Sequence, residues 1–315
     1  MTRNGKDNMT RLSEAARGVY VIAITPFTDN GALDLEGCDR MVDFYLEAGA
    51  TGLTVLGMMG EAPKLTSEES GIVVNRILKR VAGRVPVVVG VSSPGFAQMR
   101  ALTLQVMEDG AAGVMIAPPG SLRTDDQIVA YYGQAAEAIG DVPFVLQDFP
   151  LATGVQMSVP VISRIVADNP TCVCLKHEDW PGLAKITALR KAGTLDRRIS
   201  ILCGNGGVFL PEEMDRGADG AMTGFAYPEM MVHVVDGHAR GDMERARDLF
   251  DAYLPLARFE QQPGLGLAIR KYPLYKRGIM DAPALRKPGA ALDPLTRAEV
   301  DMLIARLEKR LKELN

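Results

Sequence analysis

The chain has 315 residues, of which 47% are hydrophobic and 23% charged, and its formal net charge is −4. This composition is typical of a globular protein, and the slight acidity gives no electrostatic footprint for nucleic-acid binding. Four cysteines without C-x-x-C spacing and only three histidines argue against a zinc site, so we expect neither a metal nor a cofactor.

No segment is apolar for long enough to cross a bilayer. Residues 1–17 are polar and charged, without the apolar run of a signal peptide. We therefore expect a cytoplasmic protein with no membrane partner, whose first 17 residues form a flexible tail.

After this tail, short apolar segments alternate with segments of helical periodicity. Predicted strands occupy 18–27, 52–57, 86–91, 113–117, 143–147, 172–177, 199–203 and 220–225. Each is followed by a predicted helix, at 33–48, 66–81, 96–108, 124–139, 159–167, 183–191, 209–216 and 230–239. Continuous apolar strands are typical of parallel sheets that are buried on both faces.

Eight strand–helix units predict a closed (β/α)8 TIM barrel over residues 18–240. The alternative is a doubly wound open sheet, which usually carries a G-x-G-x-x-G loop that is absent here. Residues 241–315 continue as a helical extension, with helices expected at 243–254, 266–277 and 296–314. The sequence leaves open whether this appendage covers a barrel face or forms a subunit interface.

Active residues of such barrels lie where the strands end, and one lysine falls there. Strand 172–177 is apolar until Lys176, with Glu178 two residues later. Because strand side chains alternate, Cys172, Cys174, Lys176 and Glu178 should share one face. A lysine in an apolar barrel mouth loses solvation of its ammonium group, which favours the neutral amine that attacks ketones. The alternative is a surface Lys–Glu pair.

Other strand ends supply candidate substrate-binding residues. The glycines of the loop 57–61 (GMMGE) allow close backbone approach, so its N–H groups are candidates for holding a carboxylate; the alternative is an ordinary tight turn. The glycine-rich segment 204–207 follows the seventh strand in the same way. The full set of candidates is Met58, Met59, Gly60, Gln147, Thr153, Gly204, Asn205 and Thr223.

Five segments occur in the order and spacing of one family: VIAITPF at 21–27, GMMGE at 57–61, PVVVG at 86–90, the segment 150–154, and Leu175-Lys176. With them the chain resembles the Schiff-base aldolases and dehydratases typified by dihydrodipicolinate synthase and N-acetylneuraminate lyase. The resemblance runs from about Gly18 into the C-terminal helices. It implies a (β/α)8 barrel, a small 2-oxo acid substrate, a Schiff-base lysine at Lys176 and a homo-oligomer, tetrameric or dimeric.

Several positions depart from the family pattern. The family's proton-shuttling tyrosine, in the motif Y-N-x-P, corresponds to Gln147, and the threonines of G-T-T-G-E correspond to Met58 and Met59. The synthase's arginine after the fifth strand corresponds to Ala152. A glutamine cannot act as a phenol-type acid, which argues against synthase activity and against sialic acid cleavage by the usual route.

The 2-keto-3-deoxy-L-arabonate dehydratases are a more similar subgroup. They share Q-D-x-P at 147–150, a lysine followed two residues later by a glutamate, G-A-M-T-G at 220–224 and L-P-L at 254–256. The loop 57–61 resembles the broader family instead. In the subgroup, the residue that matches Glu178 is implied to handle protons.

Three hypotheses follow. The first is a dehydratase for a 2-keto-3-deoxy sugar acid, in which Lys176 forms the imine, Glu178 removes a C3 proton, and Gln147 and Thr153 orient hydroxyls. The second is a retro-aldolase that uses the same imine and releases pyruvate from a 4-hydroxy-2-oxo acid. The third is a barrel that binds a keto acid without turning it over.

Overall fold

The computed structural model describes residues 11–180 and 182–314. Within these ranges, eight parallel strands form a closed barrel in sequence order, because the first strand also pairs with the eighth. The strands are β1 (Gly18–Ile22), β2 (Gly52–Val55), β3 (Val87–Gly90), β4 (Gly113–Ile116), β5 (Phe144–Asp148), β6 (Cys172–His177), β7 (Ser200–Cys203) and β8 (Gly220–Thr223). The predicted (β/α)8 TIM barrel is confirmed.

Helices follow the strands and continue beyond the barrel. They are α1 (Leu35–Glu47), α2 (Ser67–Val81), α3 (Phe96–Asp109), α4 (Asp125–Ile139), α5 (Pro150–Thr153), α6 (Val159–Asp168), α7 (Leu183–Arg190), α8 (Leu210–Asp215), α9 (Glu229–Arg240), α10 (Met243–Phe259), α11 (Gly266–Lys276) and α12 (Pro294–Leu314). No helix among the described residues has the length and apolarity needed to cross a bilayer.

One helix end differs clearly from the prediction. Helix α10 was expected to stop at Leu254, but it continues through Pro255 to Phe259. A proline inside a helix removes one hydrogen bond and crowds the preceding turn. Here Leu256 and Ala257 on the following turn are buried, and the burial of this apolar face keeps the helix intact.

The amino-terminal end of the barrel is closed by residues that the sequence assigned to a flexible tail. Leu12 and Ala16 are buried and pack with the interior side chains of the barrel. The Leu12 N–H donates to the carbonyl of Ala112 at 2.8 Å, and the Ser200 hydroxyl donates to the carbonyl of Ala16 at 2.7 Å. Residues 11–17 are thus packed against the barrel, whereas residues 1–10 of the expected tail lie outside the described residues.

A β-bulge changes the alternation of β6. Phe144 of β5 pairs with Cys172, but the next residue, Val145, pairs with Cys174, so Val173 is the extra residue. Val173 and Cys174 therefore pack in the barrel interior, while Cys172 packs in the outer core. The expectation that Cys172 shares the face of Lys176 is wrong, and from Cys174 onward the predicted alternation holds.

The helical appendage reaches the carboxyl end of the barrel. Helix α10 packs against α9 and α12, while α11 brings Arg270 and Lys271, both buried, to the ends of β1, β2 and β8. Of the two arrangements that the sequence left open, the described structure has the appendage covering part of one barrel face. This face is also the one on which Lys176 lies.

Candidate active site

Lys176 and Glu178 form a buried ion pair at the carboxyl end of β6. The Lys176 Nζ lies 2.8 Å from Glu178 Oε2, and only 6% and 7% of the two side chains are exposed. Both line a pocket of about 50 Å³ in the barrel mouth. The surface Lys–Glu pair is therefore excluded. A carboxylate at this distance can exchange protons with the amine or with a group bonded to it.

Gln147 and the loop after β7 hold Glu178 in place. Gln147 lies beside Lys176 in the register of β5 and β6, and its Nε2 donates a 2.7 Å hydrogen bond to Glu178 Oε2. Asn205 Nδ2 donates to the Glu178 carbonyl at 3.2 Å. A side chain at Gly204 would place its Cβ 2.0 Å from Glu178 Cγ, so glycine is required there to leave room for the carboxylate.

The loop after β2 carries two backbone N–H groups at the wall of the same pocket. Met58–Gly60 forms one 3₁₀ turn, closed by the Glu61 N–H donating to the Met58 carbonyl at 3.0 Å. Met58 and Met59 begin the turn, and their N–H groups have no hydrogen-bond partner among the described residues. Both residues line the pocket with Lys176. Unpaired N–H groups in such a turn fit the oxygens of a carboxylate.

This loop has a strained backbone at both ends. Leu56 and Glu61 adopt φ values of 55° and 54°, a region that side chains other than glycine rarely adopt and that costs about 1–3 kcal/mol per residue. Asn205, in the loop after β7, has a φ of 50°. Such conformations persist only where surrounding contacts fix them, and here they lie on two sides of the Lys176 pocket.

Glu61 supplies those contacts for the β2 loop. Its buried carboxylate accepts from Lys271 Nζ at 2.7 Å, from Lys64 Nζ at 2.8 Å and from the Arg286 N–H at 3.1 Å. Lys271 Nζ also donates to the carbonyls of Thr25 and Ala284, each at 2.8 Å. Burial lowers the pKa of Lys271, and the carboxylate of Glu61 opposes this shift. Helix α11 and the β2 loop are therefore tied by one buried ion pair.

Replacing Lys271 with methionine should lower the free energy of unfolding by about 3–5 kcal/mol, because it leaves Glu61 buried without its main counter-charge. Lys276 lies on the same helix, and its ion pair with Asp301 is about two-fifths exposed. The matched variant Lys276→Met should cost at most about 1 kcal/mol. Urea unfolding of both variants measures the difference, and equal losses would contradict the anchoring role of Lys271.

The remaining predicted residues take different places. Thr223 lines the Lys176 pocket, and its Oγ1 accepts from the Gly206 N–H at 2.9 Å. The Gly60 carbonyl accepts from Thr25 Oγ1 at 2.6 Å, which fixes the β2 loop. Thr153 does not line this pocket. Its hydroxyl donates to the Phe149 carbonyl at 3.0 Å, and its side chain lines a neighbouring cavity of about 540 Å³. Helix α5, which the sequence did not predict, carries it there.

Side chains that face away from the pocket support it from outside. The Asp148 carboxylate lies 2.8 Å from Lys185 Nζ, and Lys185 also pairs with Asp179 at 2.7 Å. His177 Nε2 lies 3.0 Å from the carbonyl oxygen of Gly182. These contacts fix the ends of β5 and β6, and with them Gln147 and Lys176. Among the described residues, no group of three or more His, Cys, Asp or Glu side chains is arranged to hold a metal ion.

Two pocket residues come from the appendage and were not predicted. Arg270 of α11 and Gln261, which follows α10, line the pocket with Lys176. Arg270 Nε donates to Glu260 Oε2 at 2.9 Å, and both side chains are almost fully buried. Burial raises the pKa of Glu260 to about 7 against the opposing effect of Arg270. No local pattern in the sequence relates these residues to a barrel strand.

Comparisons with known proteins agree with this architecture. The chain is 32% identical over 297 residues to the L-2-keto-3-deoxyarabonate dehydratase of Azospirillum brasilense. This match covers 93% of this chain and 94% of that protein. It is 29% identical over 252 residues to the 4-hydroxy-tetrahydrodipicolinate synthase of Thiobacillus denitrificans, covering 76% and 80% of the two chains.

Among solved structures, the crystal structure described as dihydrodipicolinate synthase from Rhodopseudomonas palustris matches with a TM-score of 0.92 and 56% identity. The match covers 94% of this chain and 99% of that one. Residues 15–307 match the dihydrodipicolinate synthetase family as a whole. The family resemblance seen in the sequence is confirmed, and the chain belongs to the dihydrodipicolinate synthetase family, whose members are lyases.

Proposed function

We propose that this lyase dehydrates a 2-keto-3-deoxy sugar acid of the L-2-keto-3-deoxyarabonate type through an imine at Lys176. The observation that carries the proposal is the contact network of Glu178. Its Oε2 lies 2.8 Å from Lys176 Nζ and accepts a 2.7 Å hydrogen bond from Gln147. A carboxylate so placed can act on the carbon next to an imine formed at Lys176. The dehydratase of Azospirillum brasilense supports the same substrate class.

The first step forms the imine. The neutral amine of Lys176 attacks the C2 carbonyl, and one water leaves as the C=N bond forms. The proton that the ammonium loses before the attack ends on the departing oxygen, which leaves as water, so the nitrogen carries the charge of the iminium and Glu178 is a carboxylate when the second step begins. The N–H groups of Met58 and Met59 hold the C1 carboxylate during this step, since they line the pocket and have no partner among the described residues.

The second step removes the hydroxyl group. Glu178 takes a proton from C3, and the electron pair of that C–H bond moves through C2 to the iminium nitrogen, giving an enamine. The enamine then expels the C4 hydroxyl, which leaves as water after it receives a proton from Glu178 or from a water molecule. Hydrolysis of the remaining imine frees Lys176, so the net change is the loss of one water from the substrate.

Gln147 argues against synthase chemistry. It occupies the position of the proton-shuttling tyrosine in the family's Y-N-x-P motif, and its amide neither gains nor loses a proton as a general acid or base near neutral pH. In this chain its side chain donates to Glu178 instead. The carboxylate of Glu178 is therefore the group that we assign to proton transfer.

A retro-aldolase is the second candidate. It would use the same imine and break the C3–C4 bond to release pyruvate. A barrel that only binds a keto acid is the third. It has less support, because binding alone requires neither the amine of Lys176 nor the carboxylate of Glu178.

The three candidates can be distinguished by incubating the protein with a panel of 2-oxo acids. Mass spectrometry identifies the products, and a lactate dehydrogenase assay detects pyruvate. For 2-keto-3-deoxy sugar acids, we expect a product lighter than the substrate by one water and no release of pyruvate. Release of pyruvate would identify the retro-aldolase. Absence of any reaction across the panel would favour the binding protein. The homo-oligomer implied by the resemblance and the cytoplasmic location expected from the sequence stay predictions.

A further inference from the structure

Arg270 places a guanidinium group in the Lys176 pocket with its terminal nitrogens unused. Its side chain is 3% exposed, and its Nε donates to Glu260 Oε2 at 2.9 Å. Nη1 is buried and has no hydrogen-bond partner among the described residues. Nη2 likewise makes no hydrogen bond to them. The side chain therefore has one neutralising contact on one edge and free donors on the other.

The position of this guanidinium is fixed on two sides. Glu260 accepts from Arg270 with Oε2 and from the Ala226 N–H with Oε1 at 3.1 Å, so it links helix α11 to the segment after β8. On the barrel side the guanidinium lies against Gly224, where a Cβ would come within 2.4 Å of Nη1. Glycine at this position leaves the space that the guanidinium occupies beside the pocket.

A structural arginine in the same protein satisfies its donors differently. Arg190 donates from Nε to the Gly217 carbonyl, from Nη1 to the Ile199 carbonyl and from Nη2 to Asp219. Each of its three nitrogens has a protein partner. Leaving a buried charged donor unsatisfied costs free energy, typically more than for a neutral group. Arg270, by contrast, keeps a buried nitrogen without a partner among the described residues, which indicates a partner that is not part of the chain.

The chemistry of that partner follows from the guanidinium. Two parallel N–H donors match the two oxygens of a carboxylate, and a desolvated site strengthens such charge-assisted bonds. Gln261 also lines the pocket and adds a carboxamide. It lies against Gly206, where an added Cβ would be 2.1 Å from the Gln261 Nε2. The pocket is small, so a ligand that reaches Lys176 also lies close to this wall.

We propose that Arg270 binds a carboxylate of the 2-oxo acid substrate, and that this contact selects acids over uncharged ketones. The proposal rests on the proposed function, because it takes the ligand of the Lys176 pocket to be a 2-oxo acid. The proposed sugar acid has one carboxylate, the one bonded to the imine carbon, so Arg270 binds an oxygen of the same group that the Met58 and Met59 N–H groups hold. The loop after β5 carries Ala152 where related synthases carry an arginine, so Arg270 enters this site from a different element.

The test is borohydride trapping of two probes, pyruvate and 2-oxoglutarate, with the wild-type enzyme and Arg270→Gln. 2-Oxoglutarate carries a second carboxylate that pyruvate lacks. We expect the concentration that half-saturates trapping to rise about tenfold or more in the variant, as for the loss of one charge-assisted contact. Arg258→Gln, an exposed arginine on α10, is the matched control and should trap both probes as the wild-type does.

The pattern of losses identifies the carboxylate. A rise for both probes assigns Arg270 to the carboxylate beside the imine. A rise for 2-oxoglutarate alone would place Arg270 at the far end of the ligand, where the sugar acid has no carboxylate, and would overturn the proposal. Unchanged half-saturation for both probes in a variant that melts cooperatively would overturn the proposal. If Arg270→Gln does not fold, Arg270→Lys keeps the charge beside Glu260 and removes the two-pronged donor, and the same three outcomes apply.

A second measurement separates this proposal from the imine. In Lys176→Ala, which cannot form a Schiff base, the thermal stabilisation given by saturating 2-oxoglutarate reports carboxylate binding alone. We expect this stabilisation to fall when Arg270→Gln is added, because one contact to the carboxylate is lost, and to remain unchanged when Arg258→Gln is added. If the wild-type enzyme traps neither probe, the proposed function fails, while the loss or persistence of this stabilisation still decides the role of Arg270.

Discussion

Replacing Lys176 with alanine should abolish the covalent adduct that borohydride forms between the enzyme and a 2-oxo acid. Only an amine can form the imine that borohydride reduces, and Lys176 is the buried lysine of the pocket in the barrel mouth. Intact-protein mass spectrometry after treatment with labelled pyruvate and borohydride measures the adduct. The wild-type chain should gain one reduced pyruvate, and the variant should keep its unmodified mass. Turnover of the sugar acid should fall to background.

The matched control for this experiment is Lys79→Ala, an exposed lysine on α2. It should form the adduct to the same extent as the wild-type protein. Peptide mapping of the wild-type adduct should place the modification in the peptide that contains Lys176. An adduct that persists in Lys176→Ala, or that maps to another lysine, would remove Lys176 from the mechanism and with it the proposed reaction.

Replacing Glu178 with glutamine should separate imine formation from proton transfer. The amide preserves the size of the side chain, so Gln147 and Lys176 keep a neighbour of the same shape at Oε2. We expect the borohydride adduct to form, while turnover falls by roughly 10²-fold or more, because positioned general acids and bases contribute about that much. Steady-state kinetics and adduct formation are measured on the same preparation.

A proton-exchange assay tests the same step without the physiological substrate. Pyruvate bound as an imine exchanges its methyl protons with deuterated water when a base removes them, and NMR follows the loss of the methyl signal. Glu178→Gln should slow this exchange, whereas Glu212→Gln, an exposed carboxylate on α8, should not. If exchange and turnover are both unchanged in Glu178→Gln, another group performs the proton transfer.

The two catalytic candidates could be identified from local sequence alone. The side chains of an extended strand alternate between its two faces, so a lysine and a glutamate two residues apart face the same way wherever the strand is placed. The strand itself was recognisable because buried parallel strands are short and continuously apolar. The predicted bounds of β6 agree with the structure, Cys172–His177. The count of eight strand–helix units predicted a barrel, and a barrel places the end of this strand at its mouth.

Cys172 shows where the same rule fails. Its side chain faces the outer core because Val173 is an extra residue opposite β5. A bulge depends on how two strands pair, and the pairing partner lies elsewhere in the chain. Burial then raises the pKa of the Cys172 and Cys174 thiols to about 12, which keeps both in their neutral form. Neither thiol competes with Lys176 as a nucleophile, whichever face it occupies.

The appendage could not be placed from sequence. Helix α11 was predicted as a helix, but its role depends on which barrel face it covers. Two adjacent residues decide this: Lys271 pairs with Glu61 of the β2 loop, and Arg270 pairs with Glu260 and enters the pocket. Charged residues in a helix pattern normally indicate a solvent-exposed face. These two are buried because each reaches a carboxylate held by another segment.

The sequence by itself determined the barrel, the face shared by Lys176 and Glu178, and the loops that surround them, because these features depend on periodicity and strand order. Only the tertiary structure decided that Gln147 holds Glu178, that Thr153 lies outside the pocket, and that Arg270 and Gln261 lie inside it. Contacts between distant segments depend on side-chain packing in three dimensions, for which a single sequence carries no local signal.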